Sequence, residues 1–281
     1  MRSLARYGAK AIHPLYAAGL GVTMKLDFVE LTEISGTEVS AEQVERIIQR
    51  YYWAGSYCRE KDVLEVACGT GQGIGYLASV SRSITAGDYS EAILAIARRH
   101  YGERFKLEQF DAQQMPFADA SFDVVIIFEA IYYLPEPEKF FAECRRVLRP
   151  GGVLLIATAN KDLFDFNPSP HSHRYYGIPE MGAELGKFGF TCEFFGGYPL
   201  ETVSARQKAM RPIKMIASRL GLIPKSMRAK KLLKRFIFGG LVTMPPEIGA
   251  VESRPPVPLP LPPGIADTNH KVLFCAARLT R

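Results

Sequence analysis

No apolar run in this chain approaches the ~18 consecutive residues of a membrane-spanning helix, so the sequence offers no candidate span. Cysteine chemistry is thin as well. The five cysteines (58, 68, 144, 192 and 275) form no Cys-x-x-Cys pair and match no zinc spacing. Their odd number and their strand-like surroundings point to reduced thiols and a cytoplasmic location. Acid is missing from one long segment: between Thr202 and Pro246 there is no Asp or Glu, while Lys and Arg number eleven. The net charge is +6, so the rest of the chain sums to −5. The basic character therefore belongs to one surface rather than to the whole protein. What remains is ordinary for a globular chain: 281 residues, 47% hydrophobic and 23% charged. That is one large domain, or one domain with a substantial insertion.

The most informative stretch is Val63-Leu64-Glu65-Val66-Ala67-Cys68-Gly69-Thr70-Gly71-Gln72-Gly73. It reads as a buried strand that breaks into glycines and resumes as a helix near Ile74. Glycines allow a close backbone approach to a ligand, and a helix start presents unpaired N–H groups. Two dinucleotide readings fail on spacing. Gly-x-Gly-x-x-Gly is not met, because the sixth residue from Gly69 is Ile74 and from Gly71 is Tyr76. The phosphate loop requires a lysine, and none lies between Lys61 and Lys106. Asp88 follows Gly71 by 17 residues, at the end of a second strand-like run, Ser83 to Ala86. A carboxylate there suits both hydroxyls of a ribose. The competing role, capping the helix from Glu91, is better served by Ser90.

Glu65 followed by Gly69-x-Gly71 resembles motif I of the class I S-adenosylmethionine-dependent methyltransferases, roughly Asp/Glu-x-Gly-x-Gly-x-Gly, with Ala67 in place of the first glycine. Asp111-Ala112-x-x-Met115-Pro116-Phe117 is similar to a pattern of the methyltransferase-11 group, and Leu148-Arg149-Pro150-Gly151-Gly152-Val153-Leu154 also agrees with it. The resemblance runs from Asp62 to Thr158. It implies S-adenosylmethionine as cofactor, with its methionine end against Glu65, Ala67, Gly69 and Gly71. It implies the ribose at Asp88, beside Tyr89. It implies the adenine amino group at Asp111 and the ring at the Ala112 amide, with Met115 and Phe117 flanking the base. Phe128 and Glu129 end the fourth strand, where open α/β sheets bind ligands, and complete the cofactor set. The fold implied is α/β and Rossmann-like: a seven-stranded sheet, helices on both faces, and a basic helical insertion between strands six and seven.

Four regions follow: an N-terminal arm and cap helix (1–60), a cofactor-binding core (61–198), the basic insertion with a proline-rich strap (199–268) and a final core strand (269–281). Ser40 and Gln43 have the form of a capping box for the cap helix, whose Tyr51, Tyr52 and Trp53 read as core aromatics. The insertion reads as two short amphipathic helices joined around Pro224. The strap, residues 255–263, reads as a polyproline-like spacer. Residues 205–238 are a candidate contact for an anionic membrane face, which would make a cytoplasmic protein peripheral. Asn/Asp-Pro-Pro-Tyr is missing after strand four, which counts against amino-group methylation of nucleic acid or protein, so nucleic acid is not an expected partner. No acidic metal cluster is recognisable, and no metal is expected.

The expected activity is methyl transfer to a small-molecule, sugar or lipid-linked acceptor, at a hydroxyl oxygen. His171 and His173, after strand five, are the candidate bases, with Glu129 and Tyr133 as alternatives. A similarity to methyltransferases of bacterial glycan assembly, carried by His-x-His-x-Tyr-Tyr, the basic insert and the strap, favours a glycan. The alternatives are C- or N-methylation of a lipid or quinone-like metabolite, and a non-catalytic binding module built on the same fold.

Overall fold

The computed structural model describes residues 34–169, 171–200, 240–249 and 255–280. The cap helix α1 (Ala41–Cys58) begins as its capping box dictates: the Gln43 amide donates to Ser40 Oγ, and the Ser40 amide donates back to Gln43 Oε1. Five parallel strands follow, with helices between all but β4 and β5: β2 (Asp62–Val66), β3 (Ser83–Asp88), β4 (Leu107–Gln109), β5 (Phe122–Phe128) and β6 (Leu148–Ala159). The connecting helices are α2 (Ile74–Val80), α3 (Glu91–Tyr101) and α4 (Pro137–Val147). After α5 (Ile178–Lys187) come β7 (Phe190–Pro199), the short β8 (Leu241–Thr243), β9 (Leu259–Leu261) and β10 (His270–Leu279). The sheet order is β4-β3-β2-β5-β6-β10-β7-β9, with β10 antiparallel to both of its neighbours.

Alternation along the central strands supplies two cores, one per sheet face. Leu64, Val125 and Ile127 enter one cluster with Phe140, Phe141 and Ile178, while Val63, Val124 and Ile126 enter the other with Ile47, Trp53 and Phe274. Burying each such side chain is worth about 1.5–3 kcal/mol, so the continuous apolar run of β5 holds helices on both sides. The amino ends of β2 and β5 are tied by an ion cluster. The Asp62 amide donates to Asp123 Oδ2 at 2.9 Å, and Arg149 Nη1 lies 2.9 Å from Asp62 Oδ2 and 3.0 Å from Asp123 Oδ2.

The described sheet has eight strands, not the expected seven. The extra strand is β9, from the proline strap, which pairs antiparallel with β7. A proline is tolerated on an edge strand, where its missing N–H interrupts no ladder on the outer side. The residues flanking the acid-free segment also return to the core. β8 pairs with β1 (Glu38–Ser40), and the Ile248 amide donates to the Gln72 carbonyl beside the glycine loop. Glu247, from the same segment, meets His100 and Arg104. The two helices expected around Pro224 and the N-terminal arm lie outside the described residues. None of the described helices is long and apolar enough to cross a membrane.

Candidate functional site

The carboxyl ends of the parallel strands and the inner face of α1 enclose a cavity of about 710 Å³. Its floor is the glycine loop after β2. Ala67, Gly69 and Gly71 all have positive φ, at 54°, 60° and 83°. Ala67 is thus an L-residue in the left-handed region, where a Cβ is disfavoured and glycine fits best. This agrees with its place at the first glycine of the motif. Gly73 serves packing: a Cβ there would overlap the Tyr51 ring. That ring is needed, because the Tyr51 hydroxyl donates to Glu65 Oε1 at 2.6 Å.

Glu65 is 2% exposed, and its carboxyl is pushed up to about 7 by burial, against the pull of the Tyr51 hydrogen bond and Arg50. Its other oxygen, Oε2, is buried and has no hydrogen-bond partner. A buried acceptor left open in this way is costly unless a ligand donor reaches it. Asp88 is also buried. Its Oδ2 accepts from the Gly69 amide at 3.0 Å and its Oδ1 from the Ser90 amide at 2.9 Å. Burial raises its carboxyl, and the amides oppose that. Each oxygen retains a second lone pair, enough for two ribose hydroxyls. Asp111 Oδ1 accepts from the Gln113 amide at 2.8 Å, which fixes the carboxylate at the cavity wall.

Tyr89, Ala112, Phe128 and Glu129 line the cavity with these residues. Glu129 has a φ of 50°, and its amide donates to the Ala157 carbonyl at 2.8 Å. The Tyr132 hydroxyl donates to its Oε2 at 3.2 Å, and Arg50 Nη1 lies 3.5 Å from its Oε1. The two flanking residues expected at the base are elsewhere. Met115 is buried in the core, and Phe117 packs edge-on against Phe110 and Phe122. Phe110 lines the cavity in their place, with room made by Gly87, whose Cβ would collide with that ring.

The two histidines separate. His173 lines the cavity, and its amide donates to the Tyr132 carbonyl at 2.7 Å. His171, exposed as His173 also is, sits at a φ of 64° and is not part of the lining. Tyr133 reaches the cavity too, its hydroxyl 2.6 Å from Ser169 Oγ. Burial raises the Tyr133 phenol. Sequence reasoning missed Gln43, Arg46, Arg50 and Lys271, all in the lining. A signal existed for the arginines: they stand four apart on α1, among the apolar positions Val44, Ile47, Ile48 and Tyr51 that define its buried face. Lys271 carried none.

These features fit S-adenosylmethionine: an open buried oxygen for an ammonium, a two-oxygen acceptor for a ribose, and a third carboxylate further along for a base amino group. A family profile described as "Methyltransferase domain" matches residues 64–156. The Mycolicibacterium smegmatis protein named "Probable S-adenosylmethionine-dependent methyltransferase" is 37% identical over 157 residues, 53% of this chain and 61% of that protein. The chain therefore spans less than two thirds of that relative. The phthiotriol/phenolphthiotriol dimycocerosates methyltransferase 1 of Mycobacterium ulcerans is 38% identical over 225 residues, 73% of this chain and 74% of its own length. A fatty-acid O-methyltransferase of M. smegmatis is 41% identical over 102 residues, 35% and 37% of the two chains. Among solved structures, phosphoethanolamine N-methyltransferase 2 of Haemonchus contortus with S-adenosylmethionine shares the fold, with a TM-score of 0.53 at 19% identity, over 86% of this chain and 53% of that one. The chain belongs to the class I S-adenosylmethionine-dependent methyltransferase family.

Proposed function

We propose that this protein transfers a methyl group from S-adenosylmethionine to a hydroxyl oxygen of a lipid-type acceptor. The observation that carries the reading is a single cavity holding Glu65, Asp88 and Asp111 together with His173, Tyr133 and Glu129. S-adenosylmethionine supplies, when bound, a methyl carbon on a sulfonium that is already a good leaving group. The protein's part is alignment of the two reactants and removal of the acceptor proton. In this reading Glu65, in β2, orients the amino-acid end and Asp88, at the end of β3, the nucleoside end. Phe128 and Tyr51, packed edge to face at 5.5 Å, keep water from the reacting carbon. His173 takes the hydroxyl proton. Among the acceptors that the sequence leaves open, a lipid is favoured by the names of the M. ulcerans and fatty-acid relatives and by apolar lining such as Ile47, Leu134 and Val272.

Calorimetry with S-adenosylmethionine tests the cofactor site. Asp88→Ala should weaken binding by about 10–100-fold, since two hydrogen bonds to a charged acceptor disappear. Unchanged binding would remove the ribose assignment. Transfer of a labelled methyl group to hydroxylated lipids tests the base: His173→Ala should lower kcat by about 10²–10⁴-fold, and His171→Ala should leave it near the parent value. Equal effects of the two would reject His173.

A further inference from the structure

We propose that the acceptor carries an anionic headgroup, a carboxylate or phosphate, that is anchored on Arg46 and Lys271, away from the atom that is methylated. The proposal rests on the reading of the cavity as a methyltransferase site. The order of the strands gives the cavity two chemically distinct ends. Glu65, Asp88 and Asp111 belong to β2, β3 and the loop after β4, in that order, whereas Lys271 is at the start of β10. From β2 the sheet proceeds through β5 and β6 to β10. At about 4.8 Å per strand, that sets Lys271 roughly 14 Å to the side of Glu65. The lysine is therefore remote from the carboxylates that suit the cofactor.

Arg46 reaches the same end from α1. Glu42 is not part of the lining but stands behind it. Its Oε1 takes Arg46 Nη2 at 2.8 Å and Lys271 Nζ at 2.6 Å. One carboxylate thus draws two cations, from elements 225 positions apart in sequence, to one place on the cavity wall. The Arg46 guanidinium also lies over the Tyr198 ring, 5.5 Å from its centroid, which limits its freedom. The side chains are 30% and 16% exposed, so solvent screens them only in part. Two convergent charge-assisted donors, held in advance, are what a carboxylate or phosphate binds best. Ile47 and Val272, each next in sequence to one of the cations, line the cavity with apolar surface. A headgroup on Arg46 and Lys271 would therefore lead into an apolar chain. Arg50, one turn along α1 and about 6 Å away, marks the direction towards Glu129 and the reacting centre.

The test uses the full chain and three probes of equal length, decanoate, decyl phosphate and 1-decanol, titrated with and without S-adenosylmethionine. At least one anion should bind about 10-fold more tightly than the alcohol, and which anion leads identifies the headgroup. Arg46→Gln with Lys271→Gln should bring all three probes within about 3-fold of one another and leave S-adenosylmethionine affinity within about 3-fold of the parent. Arg46→Lys should retain the preference for the anion. Circular dichroism melts check folding, and Arg46→Gln alone carries the comparison if the double variant unfolds. The proposal is overturned if the alcohol binds as well as both anions. It is also overturned if the double variant loses cofactor affinity by the same factor as anion affinity, since the cations would then serve the cofactor. Failure of the parent to bind S-adenosylmethionine at all would instead sink the methyltransferase reading, while the anion preference is still measured in the cofactor-free protein.

Discussion

Glu65 has a carboxyl raised from 4.5 to about 7, with burial as the largest cause. Between those two values the native state holds a proton that the unfolded state has released. Stability therefore falls as pH rises through that window. Glu65→Gln removes the titration and keeps an acceptor for the Tyr51 hydroxyl. In thermal melts of the ligand-free protein, the variant's advantage over the parent should grow from about pH 5 to about pH 7.5. A constant difference would mean that burial does not govern this acid. The other oxygen, Oε2, is the open one in the cavity, so a cationic donor there returns what burial costs. Cost in the empty site and gain on binding are two faces of one desolvated carboxylate.

Helix α1 and the glycine loop depend on each other through one missing Cβ. Gly73 leaves the space that the Tyr51 ring fills, and Tyr51 orients Glu65. Gly73→Ala should displace the ring, costing about 1–3 kcal/mol in denaturant unfolding, as overpacking does. It should also weaken S-adenosylmethionine binding, because Glu65 loses its orienting partner. An alanine variant with parental stability and affinity would show that the ring has another place to go. At this scale the sequence was readable wherever one element carried its own pattern. The capping box of α1, the apolar run of β5 and the glycines after β2 are such cases. β9 was not readable: Leu259-Pro260-Leu261 has no strand pattern of its own and pairs only because β7 presents an edge. Met115 and Phe117 misled because an apolar residue beside a motif packs inward as readily as it lines a site. Lys271 was illegible for a related reason. Its role depends on Glu42, 229 positions earlier, and no local spacing records that pair.

Across the whole molecule, ion-paired acids and deeply buried acids are shifted in opposite directions. At the amino ends, Asp62 is held well below the usual carboxylate range by hydrogen bonds from Arg82. On the α4 side, Glu143 is lowered by Arg146. These groups stabilise the fold above their unfolded values, and the contribution is lost as pH falls through their native ones. At the carboxyl ends, Glu65 and Asp88 are raised by burial, and their effect has the opposite sign. The melting temperature of the ligand-free protein should therefore fall on both sides of about pH 5. Saturating S-adenosylmethionine should flatten the alkaline side only. A melting temperature that rises steadily to neutral pH without ligand would contradict this polarity. The connectivity of the sheet also sets a timetable during synthesis. β10 lies between β6 and β7, yet His270 is made 71 positions after the end of β7 at Pro199. At roughly 5–20 residues per second, β6 and β7 wait about 4–14 s on the ribosome with open edges facing a gap. For that interval the nascent chain exposes two unpaired strand edges, a natural target for a chaperone and a hazard without one.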